Sequence, residues 1–139
     1  MIPEAFQCRM REQLGAQYPA FLQAMEDMPV RALRLNPLKH AEISAIADIQ
    51  TKPLPFSGGG YIFSCEGIGR HPMHHAGAFY VQDPSAISTV SAAAHVLKPG
   101  MRVLDLCAAP GGKSTQLAGM LDGTGMLVSN EISRDRCRI

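Results

Sequence analysis

The chain has 139 residues with a formal net charge of +1, 46% hydrophobic and 18% charged residues, which is a globular composition and not a disordered one. No run of eighteen apolar residues exists to cross a membrane, and Met1 to Phe6 lacks the basic-then-apolar order of a secretory signal. The cysteines, Cys8, Cys65, Cys107 and Cys137, form no C-x-x-C pair, which argues against a disulfide framework or zinc site and for a reducing cytoplasm.

Pro3 suits the start of a helix, and Phe6, Met10 and Leu14 share one helical face over residues 4–14. A second short helix is predicted from Pro19 to Met25. Val30 to Leu35 reads as a strand, ended by Asn36-Pro37. Ile43, Ile46 and Ile49 are three apart, suggesting a short helix over 41–49. Lys52 to Pro55 and Gly58 to Gly60 are loop chemistry around a Tyr61-Ile62-Phe63 strand. Residues 68–77 read as a polar connector that Pro72 keeps extended. A short extended run, 79–82, precedes a helix that starts at Asp83-Pro84-Ser85 and runs to Leu97. Then follow strand 102–106, a loop of small residues, helix 113–121, a turn at 122–125, strand 126–130 and a helix from about Ser133. A lone βαβ unit leaves unpaired edges. The expectation is therefore an N-terminal piece of a larger protein, from a truncated chain or an interrupted gene.

Charge gives no sign of a nucleic-acid partner. Residues 1–76 carry seven basic and seven acidic side chains, and residues 77–139 carry six and five. Arg31, Arg34, Lys39 and His40 form the one local basic cluster, either a contact for RNA phosphates or a solvated strand face. His71, His74 and His75 have no fixed ligand geometry, so loop histidines are expected in place of a metal site.

The most informative stretch is Asp105-Leu106-Cys107-Ala108-Ala109-Pro110-Gly111-Gly112-Lys113, between a strand and a helix. Small residues there let backbone approach a ligand at the carboxyl end of the strand. A P-loop reading fails on spacing. It needs glycine where Cys107 stands, and Pro110 removes a backbone donor from any phosphate nest. A dinucleotide fingerprint, G-x-G-x-x-G, is absent as well.

The loop resembles the S-adenosylmethionine loop of the Nop/Sun family of RNA 5-methylcytosine methyltransferases and matches its signature throughout. Tyr80 to Ser85, Leu127 to Ser133, His71 to Gly77 and Arg34 to Lys39 resemble further stretches of that family, the histidine stretch being similar to bacterial members that modify small-subunit ribosomal RNA. The resemblance implies an α/β fold: the N-terminal part of a Rossmann-like S-adenosylmethionine-dependent methyltransferase domain, over 77–139, preceded by a small α+β domain, over 1–76, that faces RNA. It implies cofactor contacts from Cys107, Ala108, Ala109, Pro110, Gly111, Gly112 and Lys113. Glu131 would accept hydrogen bonds from the ribose hydroxyls, and Arg136, one turn on, would reach the cofactor side. For Glu131 a helix-capping carboxylate, and for Lys113 and Arg136 a solvated cation, are the plainer alternatives. Asp105 would fix the loop. Gln82, Asp83 and Ser85 would brace the pocket, although an N-cap alone explains Asp83 or Ser85. The family's two catalytic cysteines would lie beyond Ile139, so Cys107 is expected to be structural and the 139-residue chain inactive by itself. Cys8, Cys65 and Cys137 read as ordinary small apolar residues. The implied parent methylates carbon 5 of cytosine in RNA, 16S-type ribosomal RNA first, with no metal and no membrane. Transfer RNA as substrate, a non-catalytic RNA-binding module and a P-loop nucleotide-binding protein remain alternatives.

Overall fold

A computed structural model describes residues 2–139. Helices α1 (Glu4–Leu14) and α2 (Tyr18–Glu26) open the chain. Phe6 and Phe21 meet with ring centroids 6.2 Å apart, and the Arg11 guanidinium lies 4.9 Å from the Tyr18 ring centre. The predicted apolar face of α1 is there, but no residue of that helix is buried.

Four strands then form an antiparallel sheet: β1 (Arg31–Leu35), β2 (Thr51–Pro53), β3 (Gly60–Phe63) and β4 (Phe79–Gln82), in the order β2-β3-β1-β4. β1 is central, pairing Leu33 with Tyr61 on one side and with Val81 on the other. Side chains alternate across a strand. Leu33 therefore enters one core with Ile46, Ile49, Phe63, Ile68 and Phe79, while Ala32 faces the other with Leu54 and Ile87. Both faces of β1 are covered, and Ala32, Leu33 and Arg34 are all buried.

The second sheet is a parallel pair, β5 (Arg102–Asp105) and β6 (Met126–Ser129), joined by α5 (Gly112–Leu121). The helix α4 (Pro84–Ala93) links the sheets. Asp83 caps it, its Oδ1 accepting from the Ser85 N–H at 2.8 Å. The Gln116 amide of α5 donates to the Ile87 carbonyl of α4 at 3.1 Å and to Ser91 Oγ at 3.2 Å, which locks the two helices together.

Four expectations need correction. Residues 68–77 are not extended: α3 (Pro72–His75) forms a helical turn, because Pro72 sits in its first turn and His71 Nδ1 caps it, accepting from the Met73 N–H at 3.1 Å. Residues 41–49 hold only a 3₁₀ turn, Ile43–Ile46. Thr51–Pro53, read as loop, is an edge strand, where proline is tolerated because no neighbour needs its missing N–H. The sheet of the N-terminal half also runs past the boundary expected after residue 76, since β4 is hydrogen-bonded to β1.

Candidate cofactor site

The site is built on the chain reversal after β5. Asp105 ends that strand with its side chain folded inward, 8% exposed. Its Oδ1 accepts from the Cys107 N–H at 3.1 Å and its Oδ2 from Ser114 Oγ at 2.7 Å. Ser129 Oγ donates to Ser114 Oγ at 2.9 Å. One carboxylate thus ties the loop start to the first turn of α5 and, through Ser114, to β6. The expected role of Asp105 as the loop's anchor is seen directly. Ser114 and Ser129, its helpers, were missed; both are common residues whose meaning comes only from position.

The loop itself is pinned by backbone. The Ala108 N–H donates to the Asn130 carbonyl at 2.9 Å, the Gly111 N–H to the Ala108 carbonyl at 2.8 Å, and the Tyr80 hydroxyl to the Pro110 carbonyl at 3.1 Å. Gly111, at φ +111°, makes the turn into α5, a conformation that side chains beyond glycine resist. The Ala109–Pro110 peptide is cis.

Glu131 lies just past β6, and its side chain is 7% exposed. Its Oε2 accepts from the Ala109 N–H at 3.2 Å and its Oε1 from the Ser133 N–H at 2.9 Å. The Ser133 N–H, aided by Arg136 and the Ala109 N–H, holds this carboxyl below the usual glutamate range against the opposing effect of burial. Arg136, on α6 (Arg134–Cys137), donates to the Ala109 carbonyl at 2.7 Å and stands 3.9 Å from Glu131 Oε2. So the segment after β6 holds Ala109 from both sides, Glu131 at its N–H and Arg136, from α6, at its carbonyl. A carboxylate oxygen carries two lone pairs, so it can accept a ligand hydroxyl besides these bonds.

Two clefts flank the loop. One, of about 320 Å³, is lined by Gly111, Glu131 and Arg136. The other, of about 210 Å³, is lined by Gln82, Asp83, Gly112 and Lys113. Tyr80, Ala108, Ala109 and Pro110 border both. Lys113 makes no hydrogen bond or ion pair among the described residues. Cys107 is exposed and lines neither cleft. The structure therefore gathers eight of the nine expected contact residues around the clefts and leaves Cys107 outside. A larger cleft, about 420 Å³ between loop 56–59, α4 and α5, offers no carboxylate, histidine or cysteine.

The basic cluster does not survive as expected. Arg34 is 6% exposed and is neither a solvated strand residue nor a surface contact for RNA. Its Nε donates to Gln82 Oε1 at 3.3 Å, and its Nη2 donates to Thr115 Oγ1 at 2.8 Å and to the Gly112 carbonyl at 3.4 Å. Arg31 donates to the Cys65 carbonyl at 3.3 Å and covers the Phe63 ring. Arg31, Lys39 and His40 stay exposed. Cys8 and Cys137 are exposed too, so they are not packed as small apolar side chains. Among the described residues no three His, Cys, Asp or Glu side chains converge as metal ligands, and no helix is long and apolar enough to cross a membrane.

The family comparison decides what this loop belongs to. A protein-family model described as the N-terminal domain of 16S rRNA methyltransferase RsmF matches residues 2–84, and one described as 16S rRNA methyltransferase RsmB/F matches residues 93–139. The chain belongs to the RsmF family. Ribosomal RNA small subunit methyltransferase F of Enterobacter sp. is 31% identical over 99% of this chain and 31% of its own length. The protein of the same description from Vibrio cholerae is 32% identical over 99% and 32%. This chain thus spans about a third of the relatives it matches. A solved methyltransferase homolog from Pyrococcus horikoshii is 27% identical over 99% of this chain and 47% of its own, with a TM-score of 0.83. Family membership and that superposition agree with the expected α/β class, the front of a methyltransferase domain behind a small α+β unit.

Proposed function

We propose that this chain is the cofactor-binding front of an S-adenosylmethionine-dependent methyltransferase that modifies carbon 5 of cytosine in small-subunit ribosomal RNA. The observation that carries the reading is Glu131: a carboxylate held deprotonated past the second parallel strand, beside a loop of small residues. A carboxylate there takes the two hydroxyls of a ribose, each of which donates one hydrogen bond. The residues present fit such a ligand. Gly112 packs closely on the cleft wall, a Cβ there standing 3.2 Å from the Gln82 amide, and the buried Gln82 Nε2 has no partner of its own.

S-adenosylmethionine, when bound, supplies an electrophilic methyl group. The chain's own part is to hold and orient. Glu131 orients the ribose, Ala108 to Gly112 present backbone and little bulk, and Arg136 keeps the Ala109 peptide in place. Lys113 adds positive charge at the mouth of the second cleft. None of these residues attacks a base. Cys107, whose backbone is tied to Asp105 and which lines neither cleft, serves the loop and not the reaction. The proposed nucleophile therefore comes from elsewhere in the parent, and the 139-residue chain binds cofactor without methylating RNA. The relatives' description as ribosomal RNA small subunit methyltransferase F favours that substrate over transfer RNA, and we place the parent in the cytoplasm.

The test is calorimetric titration of the chain with S-adenosylhomocysteine. Glu131→Ala should weaken binding about tenfold or more, as expected for a lost charge-assisted hydrogen bond. Equal affinity in both proteins, or tight ATP binding that requires Lys113, would sink the reading.

A further inference from the structure

The side chain of Gln82 is buried, 7% exposed, at the end of β4. Its Oε1 accepts from Arg34 Nε at 3.3 Å. A guanidinium only donates, so this contact fixes the amide oxygen toward Arg34 and turns the amide nitrogen the other way. That nitrogen is buried and unpartnered. Leaving a buried donor without an acceptor is costly, which marks it as a group reserved for something.

What lies beside it is the N-terminus of α5, a ten-residue helix whose first residue is Gly112. The opening N–H groups of a helix have no intrahelical acceptor and carry partial positive charge. Gln82, Gly112 and Lys113 line the same cleft of about 210 Å³. The one carboxylate on that cleft, Asp83, serves as the cap of α4, its Oδ1 accepting from the Ser85 N–H and hydroxyl. The cleft therefore presents donors and a free cation, and it fits an anionic acceptor. It also shares Ala108 to Pro110 with the Glu131 cleft, which presents acceptors and fits hydroxyls. A single ligand lying across the loop would need a diol at one end and an anion at the other.

Resting on the cofactor reading above, we infer that Gln82 is a ligand-binding residue, oriented by Arg34, whose amide N–H donates to the carboxylate at the amino-acid end of the bound cofactor. Arg34 acts through it as a positioning residue, so a strand of the N-terminal sheet sets one contact of the methyltransferase site across 48 positions of sequence.

The experiment uses two ligands that differ at that end. S-adenosylhomocysteine carries the carboxylate, and methylthioadenosine keeps the nucleoside and thioether without it. Gln82→Glu retains the acceptor for Arg34 but replaces the donor by a second oxygen. It should lose about tenfold or more in affinity for S-adenosylhomocysteine and keep its affinity for methylthioadenosine. Gln82→Met, which keeps the bulk, should show the same selectivity and stands in should the glutamate variant fold poorly. A purely structural Gln82 would lower both affinities together. That result, or no change in either, overturns the inference while leaving the cofactor reading intact. So does a variant that loses affinity for RNA alone. If the unsubstituted chain binds neither ligand, the cofactor reading falls and this inference with it.

Discussion

Glu131 is the residue on which local stability and ligand binding converge. Its carboxylate closes the cofactor loop by accepting from the Ala109 and Ser133 N–H groups. Those bonds need the ionised form, and the Ser133 N–H above all lowers its native pKa. The unfolded chain leaves it at the ordinary glutamate value. A depressed native pKa gives stability that is complete above the unfolded value and is lost as pH falls through the native one. The stability gap between the unsubstituted chain and Glu131→Gln should therefore be present from about pH 5 upward and shrink below about pH 4. Urea denaturation midpoints of both proteins across that range measure it. A gap independent of pH would mean that the carboxylate charge does not hold the loop. Arg34 teaches a different lesson at this scale. Its alternation in β1 was legible, but a strand covered on both faces has no solvated side, and nothing in Arg34-Leu35-Asn36 tells that Gln82 and Thr115 wait beneath it.

The elements were legible where period and punctuation agreed, and the site was legible where residue type and order sufficed. Asp83 capping α4, Ser133 capping α6 and the small-residue turn into α5 were all readable from local chemistry. β2 was not, because Lys52-Pro53-Leu54-Pro55 reads as loop and only pairing with β3 makes it a strand. The packing of α5 is another long-range fact. Gly119 faces the 37–39 turn, and a Cβ there would come within 2.9 Å of Pro37 Cγ and 3.2 Å of its Cδ. A proline ring cannot rotate away. Local propensity favours alanine over glycine in a helix by about 1 kcal/mol. Overpacking a tight contact costs about 1–3 kcal/mol and wins here, because α5 also carries the loop and the Gln116 bonds to α4. Gly119→Ala should lower the denaturation midpoint; an unchanged or raised midpoint would show that the turn gives way freely.

At the scale of the whole molecule the two sheets are finished to different degrees. The antiparallel sheet has core on both faces, whereas the parallel pair β5–β6 is covered on one. Leu104 pairs with Val128 and Arg102 with Met126 on the open face, where Leu104 is 58% exposed, Met126 56% and Val128 50%. Leu106, at 65%, extends that patch beyond the strand. Parallel sheets are normally buried on both sides, and contiguous apolar surface of this kind is uncommon on a folded monomer. The 139-residue chain should consequently bind an anilinonaphthalene dye in its native state, before any unfolding. Val128→Lys should cut that fluorescence. It should change unfolding stability by no more than about 0.5 kcal/mol, because the side chain it replaces is already half in water. Absent native-state dye fluorescence would show that the open face is shielded by another packing of the chain, and fluorescence that Val128→Lys leaves intact would place the dye on a different surface. A large loss of stability in the same variant would place Val128 in a core that this fold does not contain.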